Sequence, residues 1–77
     1  MEFAFEYTDT FGGDANYSWV RRNTETLPES ITDRGLMRKA KAWAGLTGCR
    51  GRTESLGETL AFYPRGSCTV LFITPNI

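Results

Sequence analysis

The segment Glu29-Ser-Ile-Thr-Asp-Arg-Gly-Leu-Met-Arg-Lys-Ala-Lys-Ala-Trp-Ala-Gly-Leu46 decides the fold, because it alone sustains a helical period while the sequence on both sides reads as strand. Leu36, Ala40, Trp43 and Ala44 recur at i, i+4, i+7 and i+8, with Met37 beside them, which predicts one apolar stripe wide enough to cover a sheet. Arg34, Arg38, Lys39 and Lys41 fall off that stripe, so the other side of the helix is basic and meets water or a partner. Two N-caps fit. Ser30 has Asp33 three residues on, in the manner of a capping box, and Thr32 stands directly before Asp33. Gly35 weakens a helix interior by about 1 kcal/mol relative to alanine, which favours the later start. Leu46-Thr-Gly48 offers a glycine for the left-handed C′ position, and the cations ahead of it suit the negative end of the helix dipole.

Upstream, Met1, Phe3, Phe5 and Tyr7 alternate with Glu2, Ala4, Glu6 and Thr8, the two-residue period of a half-buried strand whose phenylalanines meet the helix. Asp9-Thr-Phe-Gly-Gly-Asp-Ala-Asn16 concentrates turn formers and predicts a hairpin loop. Asn16-Tyr-Ser-Trp-Val-Arg-Arg-Asn23, rich in aromatic and β-branched residues, is the expected second strand, with Tyr17, Trp19 and Arg21 on one face. The polar run Thr24–Glu29 is the expected link to the helix, and Pro28 keeps Leu27 extended.

Downstream, Cys49–Leu56 alternates Arg50, Arg52 and Glu54 against Cys49, Gly51, Thr53 and Ser55, a third strand with small residues facing inward. Gly57-Glu58 turns the chain into Thr59–Tyr63, and Pro64-Arg-Gly-Ser67 turns it again. Cys68–Thr74 is continuously apolar in its middle, which marks a central strand, and Pro75 ends it. The expected fold is a single α+β domain over residues 1–77, with an antiparallel sheet, one helix on one face and the order ββαβββ. Strands three to five form a meander, while the way the N-terminal hairpin joins it stays open.

At 77 residues the chain has room for one layer of core. No apolar run reaches the ~18 residues of a membrane span. The opening Met1-Glu-Phe-Ala-Phe-Glu6 is neither basic nor a continuous apolar block, so no signal peptide is expected and the expected compartment is the cytoplasm. In that compartment Cys49 and Cys68 are expected as buried thiols rather than a disulfide.

Zero net charge conceals an asymmetry. Residues 1–33 hold seven acidic residues against Arg21 and Arg22, and residues 34–77 hold seven basic residues against Glu54 and Glu58. Either the halves neutralise each other across the sheet, or the molecule presents two faces of opposite sign to different partners.

The sequence has no histidine, so histidine-activated nucleophiles are excluded and zinc loses its commonest ligand. Lys39 and Lys41 lie on the solvated helix face, which does not suit an activated amine, and no phosphate-cradling glycine loop ends in Lys-Ser/Thr. Asp9, Asp14 and Asn16 could be oxygen ligands, but their spacing lacks the closing acid of a calcium loop. The expectation is a non-enzymatic protein without cofactor or metal, monomeric or a small homo-oligomer.

Candidate protein-binding residues are Glu2, Glu6, Asp9 and Asp14, whose carboxylates could mimic DNA phosphates, together with Tyr17, Trp19 and Arg21, residue types enriched at binding hot spots. For Trp19 the first expectation is a place in the core, with Tyr17 nearer its rim, and the binding surface is the alternative. The alternative basic face is Arg34, Arg38, Lys41, Arg50 and Arg52. Nucleic acid is the less favoured partner, because the pI near 6.2 and the acidic N-terminal half lack the expected basic footprint.

Phe5-Glu-Tyr-Thr-Asp-Thr-Phe-Gly-Gly-Asp-Ala-Asn-Tyr-Ser-Trp-Val-Arg21, Lys39-Ala-Lys-Ala-Trp-Ala-Gly-Leu-Thr-Gly48 and Pro64-Arg-Gly-Ser-Cys-Thr-Val-Leu-Phe72 look like pieces of small proteins encoded by tailed phages and prophages. In size, single-domain build and want of catalytic residues the chain is also similar to phage-encoded anti-CRISPR proteins. That resemblance implies an inhibitor that binds a host protein complex, a CRISPR effector in the first place, and it carries no residue-by-residue assignment.

Overall fold

The alternation of Phe3, Phe5 and Tyr7 with Glu2, Ala4 and Glu6 becomes strand β1 (Glu2–Asp9), whose aromatic side is buried. The computed structural model describes residues 1–9 and 20–75. After β1 come β2 (Val20–Thr26), α1 (Asp33–Ala44), β3 (Gly51–Leu56), β4 (Thr59–Pro64) and β5 (Thr69–Pro75), the expected ββαβββ order. They form one five-stranded antiparallel sheet in the order β2-β1-β5-β4-β3. β5 is central, as its continuous apolar run requires, and β3–β4–β5 is a meander. The N-terminal pair joins through β1, which lies antiparallel to β5 with Phe5 opposite Ile73 and Tyr7 opposite Leu71.

The helix lies on one face of this sheet, mainly over β5. Leu36, Ala40 and Ala44 enter a core with Phe3, Phe5, Tyr7, Phe62, Leu71 and Ile73, while Trp43 and Met37 are half-buried at its margin. Trp43 meets Phe5 with ring centroids 5.9 Å apart. On the opposite face Ala61 and Val70 are buried and Tyr63 and Phe72 are half-buried, so that side is apolar in the middle and charged at its rim.

Thr32 is the N-cap: its side chain accepts a hydrogen bond from the Gly35 backbone N–H at 3.0 Å. Thr32→Ala leaves that donor without its partner and is expected to cost about 1 kcal/mol. In a thermal melt followed by circular dichroism this lowers Tm by about 4–8 °C; an unchanged Tm would show that the cap contributes nothing.

Four expectations need correction. The helix stops three residues before the expected glycine: Gly45, at φ 77°, is the left-handed cap, and Leu46 N donates to Lys41 O, while Gly48 (φ 82°) belongs to the turn that follows. β2 runs through Thr26, so Thr24–Thr26 are strand rather than linker, because they pair with Glu2–Ala4 of β1. Cys49 and Cys68 are exposed free thiols, since each sits in a connection flanking a strand rather than within the sheet. Thr53 and Ser55 take the helix side of β3 as expected, yet both are exposed, because α1 does not reach this edge. The expected hairpin loop and the residues Asp14, Asn16, Tyr17 and Trp19 lie outside the described residues.

Candidate binding groove

One helix is narrower than five strands. With strands spaced about 4.8 Å apart, the sheet spans about 19 Å between its outer strand axes, whereas a helix with its side chains is about 10–12 Å across. α1 covers β5, reaches β1 through Trp43 and β4 through the contact of Lys41 with Phe62, and so leaves β3 and the Leu60 end of β4 open on the same face. A groove of about 580 Å³ results, lined on the helix by Asp33, Arg34, Met37, Arg38 and Lys41, at its end by Thr47 and Gly48, and on the sheet by Thr53 and Leu60.

Arg34, Arg38 and Lys41 stand at i, i+4 and i+7, which puts three cations on one side of the helix beside Met37. Lys41 is fixed: its Nζ lies 4.5 Å from the centroid of Phe62 and donates to the Cys49 carbonyl at 2.8 Å. Its charge therefore stands at the groove wall against a ring and a carbonyl and not against a carboxylate. Among the described residues the ion pairs are Arg22–Glu6 at 2.8 Å and Arg52–Glu54 at 3.2 Å, and neither involves a groove cation. The groove thus combines a cationic wall, moderated by Asp33, with apolar surface from Met37 and Leu60.

The remaining candidates separate. Glu2 and Glu6 share the face of β1 away from the helix, where Glu6 is paired with Arg22; Asp9 falls in register with the aromatic side and is 8% exposed. These acids do not form one row. Arg21 is on the helix side, its guanidinium 5.2 Å from the Trp43 ring centroid and donating to the Trp43 carbonyl at 3.2 Å, so it ties β2 to the last turn of α1. Arg52 points to the opposite face of the sheet, 4.7 Å from the centroid of Tyr63, and with Tyr63, Gly51 and Arg65 lines a smaller concavity of about 300 Å³. Arg50 accepts the Arg65 N–H at its carbonyl and does not line the groove. The basic set read from the sequence is therefore divided, with Arg34, Arg38 and Lys41 at the groove and Arg52 on the opposite side of the sheet. Met37, Thr53 and Leu60 were missed as site residues; the only signal for them was that a single helix cannot cover five strands.

Among the described residues no group of three or more acidic or thiol side chains is placed to hold a metal ion, and no helix is long and apolar enough to cross a membrane. Set against known proteins, the chain matches no family model, no curated protein and no solved structure.

Proposed function

We propose that this protein is a non-enzymatic binding module that blocks a host protein complex in the cytoplasm by seating its α1 groove on an acidic surface of that complex. The observation that carries this reading is the convergence of Arg34, Arg38 and Lys41 on one partly apolar groove, with none of the three in an ion pair among the described residues. Charge of one sign beside apolar surface steers a partner of opposite sign and then gives it something to bury against. The resemblance to small phage-encoded proteins supplies the partner class, a CRISPR effector complex.

Two alternatives are weaker. Phosphate mimicry by the acidic strand needs an unneutralised row of carboxylates, and here Glu6 is spoken for by Arg22 while Asp9 is buried on the other side. Nucleic-acid binding needs the cations on one surface with rings free to stack, whereas Arg52 stands apart from the groove and covers Tyr63 itself.

The test is retention of effector subunits from the lysate of a CRISPR-immune host, with phage plating on that host as the functional readout. The double variant Arg34→Glu, Arg38→Glu should reduce both at least tenfold, because it reverses two exposed charges without touching the core. Glu2→Lys with Glu6→Lys should leave both unchanged. The reverse pattern would establish phosphate mimicry instead, and failure to retain an effector subunit or to rescue plating would end the inhibitor reading.

A further inference from the structure

The geometry points to a specific occupant: the groove between α1 and the β3–β4 edge receives an acidic amphipathic helix from the partner protein, which takes the place of a second helix on this face of the sheet. This rests on the protein-binding reading above and names the element that the partner supplies.

Width is the first argument. The bare part of the face begins at the half-buried Leu60 of β4, takes in the exposed Thr53 and Ser55 of β3 and ends at that outer strand. Among the described residues, therefore, no strand beyond β3 limits an occupant about 10 Å wide, the diameter of one helix with its side chains. Length agrees. Asp33, Arg34, Met37, Arg38 and Lys41 line the groove over about 12 Å of helix axis, slightly more than two turns, so a partner helix packed alongside α1 would meet the wall with two turns of its own.

Hydrogen bonding selects a helix over an extended segment. The floor belongs to β3 and β4, whose facing backbone groups already bond each other, and the wall is side chain along the length of α1. The unpaired backbone groups nearest the groove are on the outer edge of β3, and an extended peptide paired with that edge would lie in the plane of the sheet, away from the wall of Arg34, Arg38 and Lys41. One lying in the groove itself would leave its own N–H and C=O groups without partners, which is costly when they are buried. A helix arrives with those groups satisfied and offers only side chains, which is what the groove is built to meet.

Charge and polarity then fix its sequence character. A stripe of leucine-like residues would cover Met37 and Leu60, and acidic residues flanking that stripe would face Arg34, Arg38 and Lys41. Lys41 is already held in place by Phe62 and the Cys49 carbonyl, so little side-chain freedom is lost there when a carboxylate approaches.

The experiment titrates isotope-labelled protein with a synthetic peptide of about 16 residues, leucines at i, i+3, i+4 and i+7 and glutamates on the flanks, while NMR amide shifts and far-UV circular dichroism are recorded. Expected are saturable shifts at Met37, Lys41, Thr53 and Leu60, a gain of peptide helicity on mixing, and at least tenfold weaker binding to the Arg34→Glu, Arg38→Glu variant. Thr53→Trp provides a second variant: it alters an exposed strand position that tolerates an aromatic residue, fills the groove and should also weaken binding at least tenfold. A peptide of the same composition carrying two central prolines should bind at least tenfold more weakly. Equal binding by the proline peptide would overturn the helix and leave the protein-binding reading intact. Absence of shifts at those residues up to millimolar peptide, tighter binding of a DNA duplex in the groove, or salt-stable self-association abolished by Thr53→Trp would each overturn the proposal in favour of no groove ligand, nucleic acid or a second copy of this chain. Retention of an effector complex that Arg34→Glu, Arg38→Glu leaves unchanged would instead remove the reading on which the proposal rests.

Discussion

Phe5→Ala is expected to remove about 3–5 kcal/mol of folding stability, the usual loss when a buried aromatic ring is cut back to a methyl group. Phe5 is 1% exposed, lies opposite Ile73 of the central strand, and packs against Trp43 of the helix with centroids 5.9 Å apart. It is thus the residue through which β1, β5 and α1 are joined, and its removal opens a cavity that none of the three can close alone. A domain of this length has a total stability of about 4–12 kcal/mol, so the variant falls near the edge of folding. Urea denaturation followed by circular dichroism measures it: with a slope of about 1 kcal/mol per molar urea the midpoint should fall by about 3–5 M or the transition should vanish. A shift below 1 M would mean that the sheet and helix are not coupled through this ring.

Gly51→Ala is the second large effect, and its cause is space rather than backbone conformation. A Cβ at Gly51 would collide with the Tyr63 carbonyl oxygen and come within 2.9 Å of both Phe62 Cζ and Pro64 Cα. Two of these neighbours are backbone atoms of the paired strand, so relief requires β3 to shift from β4, whether or not the Phe62 ring also moves. Alanine would ordinarily gain about 0.4–1 kcal/mol over glycine through the unfolded chain, but the overpacking cost of about 1–3 kcal/mol outweighs it. The expected outcome is a lower denaturation midpoint together with faster amide hydrogen exchange in β3, and because Lys41 rests on Phe62, the groove wall should loosen as well. A variant as stable as the parent, with unchanged exchange in Gly51–Leu56, would show that the strand yields at no cost.

The helix and the strands differ in how they could be read in advance. Leu36, Ala40 and Ala44 reached the core because a 3.6-residue period constrains many positions at once. The Thr32 cap followed from local chemistry, an oxygen side chain within reach of the N–H three residues on. The helix end was misplaced because Gly45 and Gly48 both take positive φ, and local sequence does not say which of two such glycines stops the helix and which bends the turn after it. β2 was ended too early for a similar reason: Thr24, Glu25 and Thr26 look like linker until β1 supplies the edge they pair with.

The amino-acid sequence by itself determined the order of elements, the buried stripe of the helix, the central rank of the strand around Leu71 and the absence of histidine chemistry, since each depends on periodicity or composition within one segment. Only the tertiary structure decided which cations act together. Arg34, Arg38 and Lys41 share a groove, Arg21 is drawn to Trp43, and Arg52 is sent to the far side of the sheet, although all five are basic residues near one helix or one edge in the linear sequence. The physical reason is that a strand reverses its facing at every residue and a helix covers only about two strand spacings, so the surface to which a charge belongs is fixed by register and by where the one helix comes to rest.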